Sequence, residues 1–128
     1  MKLYPILLLL ILNSCITGKI AVKTGIDEIH FGNGGGFTGE VKTYTLTADN
    51  TLIELNKELK KVDSKTTLAI FNEAKEIKDY SFNEPENMYS FIEIKTKDKT
   101  NRIVWAFGSI KVDKKATELH TTLMTLIK

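Results

Sequence analysis

The sequence predicts an α+β fold in which an antiparallel sheet of about five strands carries two helices on one face. Three observations predict this fold. Five segments are rich in β-branched and aromatic residues, turn-forming residues separate them, and two further segments carry apolar residues at helical spacing. Because the segments form hairpins with intervening helices and not alternating βαβ units, neighbouring strands are expected to run antiparallel.

The predicted strands fall into two groups. In the first group a glycine-rich break at residues 32–36 follows the opening strand, and a turn at Ala48–Asn50 joins the next two strands. In the second group the polar turn at residues 97–100 joins two aromatic-rich strands. The lysine-rich stretch from Lys57 is interpreted as a connection, and the segment around Pro85 as a loop. The predicted strands are residues 26–31, 41–47, 51–55, 88–96 and 101–107.

Two helices complete the predicted fold. The first begins at Asp63 or Ser64, either of which suits an N-cap, and the second begins after Asp113. Each helix has an apolar stripe at helical spacing, which is expected to face the sheet. The first stripe comprises Leu68, Ile70, Phe71, Ala74 and Ile77, and the second comprises Ala116, Leu119, Leu123, Met124 and Ile127.

The N-terminal segment predicts export. Residues 3–12 form an apolar run that fits the core of a secretory signal, about 7–15 residues, and is shorter than a membrane span of about 20 residues. The sequence Leu12-Asn13-Ser14-Cys15 resembles the lipobox of bacterial lipoproteins, which implies cleavage after Ser14 and lipidation of Cys15. Acylation also accounts for a lone cysteine in an exported protein. The alternatives are an uncleaved anchor and a chance cysteine beside an ordinary signal.

The chain is therefore divided into a cleaved lipoprotein signal peptide (1–14), a lipidated tether (15–25) and one α+β domain (26–128), since 128 residues fit a single domain. The lipoprotein resemblance also implies a location. Cys15 is followed by Ile16 and not by the aspartate that resembles an inner-membrane retention signal, and no acidic residue precedes Asp27. We expect a lipid-anchored protein of the bacterial cell envelope, in the outer membrane and facing the periplasm.

Charge and motif patterns exclude nucleic-acid and nucleotide partners. The formal net charge is only +2, and lysine alternates with Glu and Asp along most of the chain, so no basic stripe is expected. Gly34, Gly36 and Gly39 match the dinucleotide pattern G-x-G-x-x-G, but a strand-like segment follows them. Without a helix N-terminus after the glycines, no helix dipole is expected to stabilise a bound pyrophosphate. No nucleotide and no cofactor are expected.

Catalysis by this chain is not predicted. His30 and His120 are the only histidines, which excludes a His-x-x-x-His zinc site, and a Gly-x-Ser-x-Gly elbow is absent. Glu28 and His30 share a strand face and could either contact one metal ion or form a half-exposed polar face. We expect no catalytic residue and no metal site, and therefore a protein that is not an enzyme.

The glycine-rich segment is the candidate partner-binding loop. Glycines permit positive φ in a bulged hairpin or a sharp turn, but they do not explain the large apolar ring among them. Phe37 could pack into the core or be displayed to a partner. Likewise, Trp105 and its aromatic neighbours could form a ligand platform or ordinary cross-strand packing. The candidate loop residues are Gly34, Gly35, Gly36, Phe37, Thr38 and Gly39.

Three short segments in this order resemble the emfourin-like family of small metalloprotease inhibitors. They are Gly35-Gly36-Phe37-Thr38-Gly39, Tyr89-Ser90-Phe91 and Arg102-Ile103-Val104-Trp105-Ala106-Phe107, and the resemblance spans residues 28–127. It implies a compact α+β inhibitor that occludes a thermolysin-like peptidase, with the glycine loop as a contact. The lipid anchor and the lysine-rich stretch 57–65 are not part of that pattern.

Two functions are therefore expected from the sequence. The first is a lipid-anchored domain that binds an envelope protein. The most specific version of this hypothesis is inhibition of a metallopeptidase. The second is a structural or accessory lipoprotein of an envelope assembly, in which the glycine loop is only architectural. Exposure of Phe37 separates them, because a displayed ring fits a binding site and a buried ring fits architecture.

Overall fold

The computed structural model describes residues 21–128. The predicted signal peptide (1–14), the lipidation site Cys15 and most of the predicted tether lie outside the described residues. No helix in the described range has both the length and the apolar character that a membrane crossing needs.

The described chain has an α+β fold built on one seven-stranded sheet. The strand order is β4-β3-β2-β1-β6-β7-β5, and all neighbours are antiparallel except β5 and β7, which are parallel. The elements are β1 (Ile26–Gly35), β2 (Val41–Thr47), β3 (Thr51–Glu54), β4 (Lys57–Lys61), α1 (Ser64–Ile77), β5 (Asn83–Glu84), β6 (Met88–Thr96), β7 (Thr100–Ala106) and α2 (Lys114–Thr125).

The sheet differs from the prediction in three places. It has seven strands and not about five, because the lysine-rich connection contains β4 and the loop around Pro85 contains the two-residue β5. Strand β4 is exposed at every position, so it has no apolar alternation to reveal it. The third difference is that β1 continues through Gly35, where a break at residues 32–36 was predicted.

The hydrophobic core joins both helices to the sheet. Alternate residues of the strands, such as Ile29 and Phe31 of β1, belong to one buried cluster with apolar residues of both helices. Leu68 is an exception to the predicted stripe of α1, because its side chain is 43% exposed. The helix residues of the cluster are Ile70, Phe71, Ala74, Ile77, Ala116, Leu119 and Leu123.

Candidate functional site

The first half of the glycine-rich segment lies in β1, where the neighbouring backbones leave no room for a side chain at Gly32 or Gly35. A Cβ at Gly32 would lie 1.8 Å from the carbonyl oxygen of Lys42, and one at Gly35 would lie 1.7 Å from that of Asn87. Gly35 also has a φ of +89°, a conformation that L side chains rarely adopt. These two glycines are therefore required by the approach of adjacent backbones.

Aromatic rings of β6 cover the glycines of β1. Phe91 is paired with Gly32, and Tyr89 with Gly34, in the β1–β6 register. A Cβ at Gly34 would lie 2.5 Å from the ring of Tyr89, and one at Gly32 would lie 3.3 Å from the ring of Phe91. Phe91 is buried outside the main core cluster, with the guanidinium of Arg102 4.3 Å from its ring centroid. The aromatic residues thus fill the space that the glycines leave.

Two of the six predicted loop residues, Gly34 and Gly35, are consequently strand residues, and the connection from β1 to β2 consists of residues 36–40. Backbone hydrogen bonds hold this loop. The N–H of Gly36 donates to the carbonyl of Asn87 at 2.9 Å, and the N–H of Gly39 donates to the carbonyl of Gly36 at 3.2 Å. Gly36 and Gly39 have positive φ values of +85° and +64°, and a Cβ at either would meet nothing within 4 Å.

Phe37 is the second residue of this loop and is fully exposed, at 112% of the reference value. Further exposed apolar residues lie at the same end of the sheet. Val41 is opposite Gly34, and Met88 is opposite Gly35 and accepts a hydrogen bond at its carbonyl from the N–H of Phe107. We define the apolar tip as Phe37, Val41, Met88, Phe107 and Ile110, all of which are exposed.

Two open grooves flank the apolar tip. One, of about 230 Å³, runs from the β1–β2 loop to Met124 of α2 and includes Thr38 and Glu40. The other, of about 470 Å³, lies beside Phe107 and Ile110. Charged residues of both signs line the grooves, namely Glu40 and Lys42 in the first and Glu84, Glu86 and Lys111 in the second. The tip therefore presents apolar side chains beside a rim that carries both negative and positive charges.

His120 of α2 bonds the backbone where the glycine-rich segment begins. Its Nε2 donates to the carbonyl oxygen of Gly32 at 2.9 Å, and its ring meets the ring of Trp105 edge-on at 5.3 Å between centroids. Burial lowers the pKa of His120, and the hydrogen bond to the carbonyl only partly offsets that effect. The imidazole is therefore harder to protonate than a solvated histidine, and its hydrogen bond fastens α2 to β1. Nothing in the local sequence signals this contact.

Glu28 and His30 pair with each other. The carboxylate of Glu28 accepts from His30 Nε2 at 2.9 Å and lies 3.1 Å from the Nζ of Lys95. Burial raises the pKa of Glu28, but hydrogen bonds from His30 and Lys95 outweigh that effect, so the pKa lies below its ordinary value. Among residues 21–128, no cluster of three or more His, Cys, Asp or Glu side chains could hold a metal ion.

The aromatic candidates have separate environments. Trp105 is buried in the core cluster and Phe91 beneath Arg102, whereas Phe107 is exposed at the apolar tip.

The chain matches no protein-family model, no curated protein and no solved structure. The resemblance to the emfourin-like inhibitors therefore rests on the short segments named from the sequence.

Proposed function

We propose that this protein is a lipid-anchored bacterial envelope protein that binds another protein through the apolar tip and inhibits a thermolysin-like metallopeptidase by occlusion. The observation that carries the proposal is the full exposure of Phe37 on a loop closed by backbone hydrogen bonds. Such a ring forgoes the roughly 1.5–3 kcal/mol that burial of a Phe side chain contributes. A partner that covers the ring recovers this free energy on binding.

The surroundings of Phe37 have the composition of a protein interface. Aromatic and Met side chains are enriched at interface centres, with polar residues at the rim. Phe37, Met88 and Phe107 supply the apolar centre, and Glu40 and Glu86 lie in the flanking grooves. The ring projects outward and is not inside an enclosed pocket, so a protein cleft suits it better than a small molecule, which needs a concave site.

The proposal that this protein is an inhibitor depends on this surface together with the family resemblance. The segment Gly35-Gly36-Phe37-Thr38-Gly39, which resembles the emfourin-like pattern, coincides with the end of β1 and the exposed loop. Inhibition by occlusion needs a surface that fills a cleft and requires no catalytic group of its own. Lipidation of Cys15 would keep the inhibitor at the envelope, most simply at the outer membrane facing the periplasm.

Capture from an envelope extract tests the proposal. The full-length protein in mild detergent is used as bait beside Phe37→Ala and a matched control, Leu55→Ala, which removes another exposed apolar side chain at the β3–β4 turn. We expect the parent and Leu55→Ala to recover a metallopeptidase, and Phe37→Ala to recover at least tenfold less.

Equal melting temperatures of the three proteins show that the comparison concerns binding and not folding. Recovery of membrane-complex components alone, unaffected by Phe37→Ala, would instead support an accessory lipoprotein without inhibitory activity.

A further inference from the structure

The described chain enters the domain at the end of the sheet opposite the apolar tip. The N–H of Val22 donates to the carbonyl of Ala48, in the turn that follows β2, at 2.7 Å. Residues 21–23 also line a groove of about 430 Å³ with Ser64, Lys65 and Leu68 at the start of α1. We define the base of the domain as residues 21–23 with Ser64, Lys65 and Leu68.

Strand β1 separates the base from the tip. It begins at Ile26, close to the base, and ends at Gly35, directly before the loop that carries Phe37. Its 10 residues span roughly 33 Å at about 3.3 Å per residue. A surface that touches the base is therefore far from Phe37 unless the domain lies on its side.

The sequence limits how far the base can be from a lipid on Cys15. Ala21 is six residues after Cys15. Six residues of fully extended chain span at most about 22 Å, at roughly 3.3–3.6 Å per residue. A lipidated Cys15 therefore keeps the base near the bilayer, whereas the tip can lie a further strand length away.

We propose that the base rests on the phospholipid bilayer and that the tip points away from it; this inference rests on the proposed lipidation of Cys15. The base offers the exposed side chains of Lys23 and Lys65 to anionic headgroups, and the exposed apolar side chain of Leu68 lines the same groove. The partner bound by Phe37 is then a water-soluble envelope protein or domain, and not a lipid or a membrane-embedded segment.

Site-specific labelling of the full-length lipidated protein tests the orientation. Ser64→Cys places a thiol at the base and Thr38→Cys places one at the tip, and both parent residues are exposed. Each protein is labelled with a thiol-reactive fluorophore in vesicles of phosphatidylethanolamine and phosphatidylglycerol that contain a headgroup nitroxide quencher. We expect the label at residue 64 to be quenched at least threefold more strongly than the label at residue 38. Glu40→Cys provides a second tip label.

The controls separate the two ways of failing. The parent protein takes up no label if its one cysteine is acylated, so a labelled parent that leaves the vesicles contradicts the lipidation itself and, with it, the orientation. An unlabelled, vesicle-bound parent with equal quenching at residues 38 and 64 overturns the orientation alone.

Discussion

In the strand half of the glycine-rich segment, Gly32 and Gly35 each face a backbone carbonyl that leaves no room for a Cβ, whereas in the loop half Gly36 and Gly39 face open space. The same contrast separates two phenylalanines. Phe91 packs over Gly32 and is buried, whereas Phe37 follows Gly36 and is exposed. The comparison teaches that one run of glycines can have two roles. Its first glycines allow adjacent strands to pack closely, and its last glycines form a loop that exposes an aromatic side chain.

The largest expected effect is the difference in protein stability between the alanine variants of the two phenylalanines. Phe91→Ala removes a buried ring and should lower the free energy of unfolding by about 3–5 kcal/mol. Phe37→Ala removes an exposed ring and should change it by less than about 0.5 kcal/mol. Urea unfolding of both variants measures the difference. A comparable loss in Phe37→Ala would mean that this ring packs against the domain and would remove the basis for display.

A matched pair of glycines gives the next largest effect. Gly35 and Gly36 have nearly equal φ values, +89° and +85°, so Ala at either incurs a similar left-handed strain of about 1–2 kcal/mol. Only Gly35→Ala also meets a carbonyl oxygen, which adds roughly 1–3 kcal/mol of overpacking. We therefore expect Gly35→Ala to be clearly less stable than Gly36→Ala in the same unfolding assay. Equal losses would contradict the division of the segment into two halves.

Replacement of Gly34 is expected to cost less than replacement of Gly35, because the atoms that its Cβ would meet belong to the end of the Tyr89 ring and not to backbone. The ring can shift, so Gly34→Ala should cost about 1 kcal/mol, a typical value for a point substitution. In the Tyr89→Ala background the same substitution should cost less, and a double-mutant cycle measures that coupling. An unchanged cost would show that the ring is not what requires glycine here.

The smallest expected effect concerns pH. His120 binds a proton less readily in the folded state than its ordinary pKa of 6.5 implies, and the unfolded state therefore binds more protons as the pH falls. Its contribution to stability should be complete well above pH 6.5 and should be lost progressively below it. Melting temperatures between pH 8 and 5 measure this loss, which His120→Gln should reduce. A parent and variant with identical pH profiles would exclude the buried neutral histidine as the cause.

Local sequence patterns were sufficient for much of the fold. The bounds of β2 and β6 are as predicted, and the carboxylate of Asp113 caps α2 by accepting from the N–H of Lys115 at 2.8 Å. Strand β4 could not be predicted, because an exposed edge strand has no apolar alternation. The two-residue strand β5 is too short to have a pattern.

The candidate site was less accessible to prediction, because its features depend on residues far apart in the chain. Glycines at 32 and 34 indicated a break, but they continue β1 because Phe91 and Tyr89 cover them from β6. The bond from His120 to Gly32 spans 88 residues. The exposure of Phe37 was undecidable from the sequence for the same reason, since it depends on which distant side chains reach the loop.

Titration of a thermolysin-like metallopeptidase with the full-length protein, Phe37→Ala and Leu55→Ala tests the central claim most directly. We predict near-stoichiometric inhibition by the parent and by Leu55→Ala, and at least tenfold weaker inhibition by Phe37→Ala, with equal melting temperatures for all three proteins. Inhibition by Phe37→Ala as strong as that of the parent would contradict the claim that the displayed ring carries binding, and no inhibition by the parent would contradict the inhibitor function.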